Sequence, residues 1–163
     1  PTIIKTTGVT DPFDIGLLTM IPYAVSAVVM VVVGRSADAQ RERRWHVAIP
    51  AFLGSIGLIL STVFDHNTVL AMSALTLATA GIMTVLPLFW SLPTAFLSGA
   101  AAAAAGIALI NSFGNLAGFV SPYLVGWLKD ATQSTNTGMY VLAASLIVGG
   151  LLTLTISKKL VNK

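Results

Sequence analysis

Residues 15–46 read IGLLTMIPYAVSAVVMVVVGRSADAQRERRWH, and two different parts can be recognised in them. The first part, 15–34, has no charged side chain, and as a helix it would be about 30 Å long, which matches the hydrocarbon core of a bilayer. An ionised side chain at the bilayer centre costs about 2.5 to 3.5 kcal/mol, so charge-free runs are candidate spans. The second part, 35–46, holds four arginines and two acids, which is typical of a loop at the membrane surface. We therefore predict one membrane crossing followed by a surface loop.

The composition of the whole chain points to the same environment. Of its 163 residues, 55% are hydrophobic and only 9% charged, and the mean hydropathy is +0.86. In soluble domains about a quarter of all residues are charged. Disordered or nucleic-acid-binding chains have a larger net charge than the +3 found here. The absence of cysteine excludes a disulfide framework and a thiolate metal site, and two histidines are too few for a metal cluster. We expect a membrane protein with no cofactor, no metal and no nucleic-acid partner.

Four further spans follow from the same charge pattern. The stretch 67–128 has no charged residue and would be about 93 Å long as one helix, so it must fold back once, near Pro93, Ser98 and Gly99. The alternation typical of an outer-membrane barrel is missing. The predicted fold class is an all-α integral membrane protein in which residues 1–163 form one partial transmembrane domain. Its five helices are expected at about 15–34, 47–64, 68–97, 100–128 and 139–156.

The basic residues predict the orientation of these spans. Seven of the nine lie in 35–46 or after position 156, and five spans place those two regions on one side. Since lysine and arginine accumulate in cytoplasmic loops, we expect a cytoplasmic loop at 35–46, a cytoplasmic C-terminus and an external N-terminus. The chain starts at Pro1 without a targeting peptide, and we interpret it as an internal or truncated piece.

The predicted spans offer little reactive chemistry. Tyrosine is their one ionisable residue type, and no histidine cluster, carboxylate pair or Ser-His-Asp set is visible, so we predict that the chain is not an enzyme. The polar residues that remain are Asn111 and Asn115, which share one face of the fourth span. Since their amides are costly in lipid, they either bond a neighbouring helix or face a polar cavity.

Small residues and prolines mark other positions in these spans. A row of glycines at spacings of four and eight allows helix backbones to approach, and we predict helix packing at Gly114, Gly118 and Gly126. Two prolines six residues apart bend the third span near Trp90, for which core packing is the alternative to a binding role. Tyr23 is a weaker candidate of the same kind.

Several stretches resemble one family of transporters. GRSADAQRERRWH (34–46) resembles the intracellular loop between the eighth and ninth helices of major facilitator superfamily transporters. Residues 15–35 resemble the eighth helix of the anion:cation symporter family within it. FWSLPTAFL (89–97) and INSFGNLAGFVSPYLVGWLKD (110–130) resemble its tenth and eleventh helices. The resemblance implies that the chain corresponds to helices eight to twelve, a partial C-terminal six-helix half of a twelve-helix fold.

The resemblance also implies a function. Such proteins are secondary active transporters of the bacterial inner membrane that work by alternating access, and family members carry small organic anions, such as sugar acids and carboxylates, with protons. Their substrate-binding arginine and proton-carrying acids usually lie in the N-terminal helices, which are missing here. We therefore expect as partners a small organic anion, H+, the lipid bilayer and those N-terminal helices.

Individual residues can be assigned on the same basis. The resemblance implies that Trp90, Ser91 and Asn111 face the substrate, and the polar pattern adds Asn115 and Tyr23 as candidates. The resemblance also places Gly34, Asp38 and Arg43 in a loop that stabilises one conformation of the transporter, a conformational latch. Ala39 departs from the family pattern, which usually has a basic residue there. A non-transporting membrane scaffold, docking through the glycines of span four, and a transporter of another cargo, such as a drug, stay open as alternatives.

Overall fold

The structure is a computed structural model and describes residues 11–97 and 100–162. Within these ranges it is helical and contains no strand. Five helices are long and apolar enough to cross a membrane, which confirms the predicted fold class. The elements in chain order are α1 Pro12–Gln40, α2 Arg44–Val63, α3 Thr68–Phe96, α4 Ala100–Thr132, α5 Thr135–Thr155 and the short α6 Lys158–Val161.

Polar residues at the helix starts explain why the helices begin where they do. Asp11 accepts a hydrogen bond from the Phe13 amide at 2.7 Å, and Pro12 occupies the first turn of α1. Asn67 caps α3 in the same way, accepting from the Leu70 amide at 3.1 Å. Such side chains accept hydrogen bonds from the first amide groups of the helix, which have no partner within it. Leaving these amides unpaired at a membrane boundary would cost free energy.

The largest difference from the sequence-based prediction concerns 35–46. We expected a loop there, but α1 continues to Gln40 and α2 begins at Arg44, so the non-helical connection is 41–43. Alanine, glutamine and arginine are good helix formers, and no proline or glycine follows Gly34 to end the helix. Arg41 ends α1 in a left-handed conformation with φ 50°. Each long helix overlaps one predicted span, but helix ends are not membrane boundaries, and the spans themselves stay predictions.

The core of the bundle is the contact between α2 and α3. α2 also packs against α5, α1 packs mainly against α3, and α4 mainly against α5. A Cβ atom at Gly81 would lie 2.5 Å from the Pro50 carbonyl oxygen and 2.6 Å from the Gly54 amide nitrogen. At Gly57 it would lie 2.7 Å from the Ala74 carbonyl oxygen. The backbones of α2 and α3 therefore touch, and only glycine fits at these positions.

The glycines that we predicted to pack helices lie elsewhere. Gly114, Gly118 and Gly126 are exposed on α4, and no heavy atom of the described residues lies within 4 Å of a Cβ built on any of them. A row of small residues permits close packing but does not supply the second helix. Any packing role for this row must involve a partner other than the described residues, and it stays a prediction.

Candidate functional site

Arg43 joins three parts of the fold at one end of the bundle. Its Nη1 donates hydrogen bonds to the carbonyl oxygens of Ser91 in α3 and Val161 in α6, both at 3.3 Å. Its backbone amide donates to the Asn162 Oδ1 atom at 3.0 Å. Because α2 begins one residue later, these bonds hold the connection between α1 and α2 against α3 and the C-terminal segment.

Arg44 makes the corresponding attachment to α5. Its Nη1 donates to the carbonyl oxygens of Leu154 at 3.2 Å and Ile156 at 2.8 Å, and the residue is buried. These carbonyls lie at the C-terminal end of α5, where the last turn of a helix leaves acceptors unpaired and carries partial negative charge. A buried guanidinium there is therefore both hydrogen-bonded and electrostatically stabilised.

Glu42 connects the two arginines to the chain end. Its carboxylate accepts from Asn162 Nδ2 at 2.8 Å and from the Trp45 amide at 2.7 Å, and it lies 3.7 Å from both Arg44 Nε and His46 Nδ1. Partial burial raises the pKa of Glu42, but the bonds from Asn162 and Trp45 and the positive charge of Arg44 outweigh it, so the pKa lies below its ordinary value. The carboxylate is thus ionised at neutral pH and accepts the two hydrogen bonds from Asn162 and Trp45. We call Glu42, Arg43, Arg44 and Asn162 the end network.

The end network covers only part of the predicted latch. Arg43 belongs to it, whereas Asp38 is exposed and its carboxylate has no hydrogen bond or ion pair with any described residue. At Gly34 an added Cβ would meet nothing within 4 Å. The sequence analysis missed Glu42, Arg44 and Asn162, and the partnership with Asn162 could not be found because it joins positions 120 residues apart.

The predicted substrate-facing residues of α3 are half-buried. The Trp90 ring packs edge-to-face on Phe89, with ring centroids 5.6 Å apart. Ser91 donates its hydroxyl to the Leu88 carbonyl oxygen of its own helix at 2.6 Å. Its own carbonyl oxygen accepts from Arg43, so Ser91 lies next to the end network.

The candidates on α4 and α1 are more exposed. Asn111 and Asn115 are both exposed, and neither amide makes a hydrogen bond among the described residues. Tyr23 on α1 is 55% exposed. No hydrogen bond of the described residues joins these three side chains to Trp90 or Ser91. Hydrogen bonds among the described residues therefore do not link the five candidates, and their roles stay predictions.

Known proteins match the chain along nearly all its length. A candidate metabolite transport protein of Pseudomonas putida is 42% identical over 163 residues, which is 100% of this chain and 37% of that protein. A candidate tartrate transporter of Agrobacterium vitis is 43% identical over 97% of this chain and 36% of its own length. A quinolone resistance transporter of Acinetobacter baumannii is 38% identical over 98% of this chain and 36% of its own length. A fungal relative, 28% identical over 83% of this chain and 28% of its own length, is named as an MFS transporter.

The chain belongs to the major facilitator superfamily. It spans about a third of the length of the curated relatives that it matches, as expected for the C-terminal portion of a major facilitator protein. All four relatives are named for transport or transport-linked resistance, which supports the prediction that this is not an enzyme. No family model matches the chain, and no solved structure matches it either.

Proposed function

We propose that the chain forms helices eight to twelve of a secondary active transporter that moves a small organic anion together with protons by alternating access. The observation that carries the proposal is the match over 97% of the chain to a relative named as a candidate tartrate transporter. Tartrate is a small organic anion with carboxylate and hydroxyl groups, which is the kind of cargo that the resemblance to anion:cation symporters implies.

The exposed amides of α4 support a substrate-facing role for that helix. An amide without a partner is costly in lipid, and Asn111 and Asn115 have none among the described residues. A polar cavity between α4 and helices of the N-terminal half would solvate them. Asn111 would then donate to a carboxylate or hydroxyl group of the anion, and the half-buried Trp90 would offer an apolar surface beside it.

The end network fits the mechanical part of the proposal. Alternating access requires helices that move together as one body. Arg43 and Arg44 bond α3, α5 and α6 to the connection that precedes α2, which is the kind of clamp that such a body needs. By the positive-inside rule this end, with its arginines and with Lys158 and Lys159, faces the cytoplasm of a bacterial inner membrane.

The test is uptake of labelled tartrate by proteoliposomes in which these five helices are present together with the N-terminal helices of the same transporter, since we expect no transport by the five helices alone. With an inward proton gradient we expect accumulation, and a protonophore should abolish it. Asn111→Leu should lower the initial rate at least about tenfold, because one hydrogen bond to a charged group is lost. Its neighbour Ser112 donates to the Ala108 carbonyl oxygen at 2.9 Å, so Ser112→Ala is a matched control and should retain uptake.

Two results would contradict the proposal. Uptake that is insensitive to the gradient would remove the proton coupling, and full uptake by Asn111→Leu would remove the assigned role of that side chain. If Asn111→Leu instead fails to assemble in the membrane while Ser112→Ala assembles, Asn111 is a structural residue, as the scaffold alternative requires.

Another cargo is favoured by one specific observation. The relative named as a quinolone resistance transporter matches the chain almost as fully as the tartrate relative does. Energy-dependent accumulation of a quinolone inside inverted vesicles, with no competition by tartrate, would support a drug transporter and contradict anion symport.

A further inference from the structure

A groove of about 920 Å³ runs between α1, α2 and α3. It exists because α1 and α2 both pack against α3 and hardly touch each other, so α3 forms the floor. One wall is a stripe of α1 that includes Val25, Val29 and Val32, and the other is a stripe of α2 that includes Ile49 and Leu53. These spacings of three and four residues place each stripe on one face of its helix.

The groove changes character along its length. From Val25 to Val33 its α1 wall is apolar over about 12 Å, close to the roughly 15 Å that one leaflet contributes to the hydrocarbon core. Beyond this point the lining becomes polar, with Ser36 and Gln40 from α1, Glu42 from the connection and His46 from α2. His46 Nε2 lies 3.1 Å from Ser36 Oγ. The groove thus has the length and the polarity profile of a single lipid in one leaflet.

Thr84 on the floor is the observation that points to a ligand. It is 0% exposed, and its hydroxyl has no hydrogen-bond partner, which costs free energy for a buried polar group. Two other hydroxyls in the lining are satisfied by carbonyls of their own helix, Ser73 by Val69 at 2.8 Å and Thr76 by Met72 at 2.7 Å. Of these three hydroxyls, that of Thr84 alone has no hydrogen-bond partner among the described residues.

The depth of Thr84 suits the ester group of a lipid. It follows Gly81 by one turn of α3, and a Cβ at Gly81 would lie 2.5 Å from the Pro50 carbonyl oxygen in α2. Since α2 and α3 run in opposite directions, Thr84 lies nearer than Gly81 to the polar end that contains His46. An ester carbonyl accepts hydrogen bonds and lies between the acyl chain and the headgroup.

The rim at the polar end carries positive charge. Arg35 and Arg41 are exposed and adjoin the lining residues Ser36 and Gln40. The segment 35–46 has an excess of two positive charges. Trp45, which is 47% exposed and also lines the groove, is of the residue type that lies at the headgroup level. Clustered arginines at the membrane surface attract anionic headgroups.

We propose that this groove is a binding site for one anionic phospholipid of the adjoining leaflet. An acyl chain fills the apolar part, and the Thr84 side chain turns its buried hydroxyl to the groove, where it donates to an ester carbonyl. The headgroup is held at the rim by Arg35 and Arg41. The site does not depend on the transported cargo.

Retention of lipid by the purified protein tests the site. The full chain, delipidated in mild detergent and mixed with phosphatidylglycerol or phosphatidylcholine, is examined by native mass spectrometry. We expect several-fold more retained phosphatidylglycerol than phosphatidylcholine. Val29→Trp fills the groove and should lower this retention at least about fivefold. Val28→Trp is the matched control, because Val28 is 64% exposed and lies outside the lining.

A second pair of variants keeps the test decisive if Val29→Trp does not fold. Leu53→Trp fills the groove from α2, while Ile56→Trp, one turn further along α2 and 47% exposed, does not line it. Arg35→Gln and Arg41→Gln should each reduce the preference for phosphatidylglycerol about fivefold. Thr84→Val should weaken the retention of both lipids equally, because both contain ester groups.

Three results would overturn the proposal. Equal retention of the two lipids would show ordinary surrounding lipid with no headgroup recognition. Equal losses in Val28→Trp and Val29→Trp would show that the groove is not the place of binding. Displacement of the lipid by tartrate or a quinolone would assign the groove to the transported substrate instead.

Discussion

Replacing Gly81 by alanine should separate the two helices at the centre of the bundle. The new Cβ would lie 2.5 Å from the Pro50 carbonyl oxygen and 2.6 and 2.7 Å from the Gly54 amide nitrogen and Cα. All three atoms belong to the backbone of α2, so no side chain can move aside, and α2 and α3 must shift apart by several tenths of an ångström. Overpacking of this kind costs about 1 to 3 kcal/mol. A cost of ~2 kcal/mol lowers the folded-to-unfolded ratio roughly 30-fold.

Thermal unfolding of the full chain in detergent measures this cost. For ~2 kcal/mol we expect the midpoint to fall by about 4 to 8 °C, as for domains of comparable size. Gly149→Ala is the matched control, because it makes the same change inside α5 where nothing lies within 4 Å. It should leave the midpoint unchanged or raise it slightly, since alanine favours a helix over glycine by about 1 kcal/mol. If Gly81→Ala and Gly149→Ala have the same thermal unfolding midpoint, the inference that the backbones of α2 and α3 touch at Gly81 is refuted.

Three further changes have expected outcomes. Gly150→Ala should lower the free energy of unfolding by less than Gly81→Ala does, by about 1 kcal/mol or below. The nearest atom to the new Cβ is Phe52 Cε1 at 2.7 Å, and this side chain can move. The thermal unfolding midpoint measures this loss as well. Arg44→Gln should speed tryptic cleavage after Lys158 about tenfold relative to wild type, because it removes the bonds to the last carbonyls of α5, and an unchanged rate would contradict the clamp. Glu42 has a pKa below its ordinary value, so its stabilisation is complete above pH ~4.3 and is lost as the pH falls through the lowered pKa. A fluorophore attached through Leu160→Cys should therefore gain mobility only as the pH falls through this lowered pKa, below the ordinary range of a glutamate, and Glu42→Gln should abolish this pH dependence.

The sequence was sufficient for the fold class, because the physics involved is local. An ionised side chain in lipid is costly wherever it occurs, so the charge-free runs predict helices without knowledge of their neighbours. The helical conformation of Arg35 to Gln40 was not predicted, because a segment outside the membrane can remain helical and the charge pattern indicates only where a span ends.

The packing glycines and the end network could not be predicted in the same way. Gly114, Gly118 and Gly126 form the more regular row, yet the close contact uses Gly57 and Gly81 on two different helices. Which row finds a partner depends on how the helices are arranged, and spacing along one helix does not contain this information. The same holds for Glu42 and Asn162, whose contact exists only when the connection between α1 and α2 meets the residue that follows α6.

The end network also has a consequence for biosynthesis. The amide of Arg43 finds its partner in Asn162, which leaves the ribosome 119 residues later. At about 5 to 20 residues per second this interval is roughly 6 to 24 s. Until then the Arg43 amide and the Glu42 carboxylate lack the Asn162 side chain, and Arg44 lacks the carbonyls of α5 for almost as long. The first three helices of the bundle are therefore synthesised before this end can be closed, and Asn162 completes it.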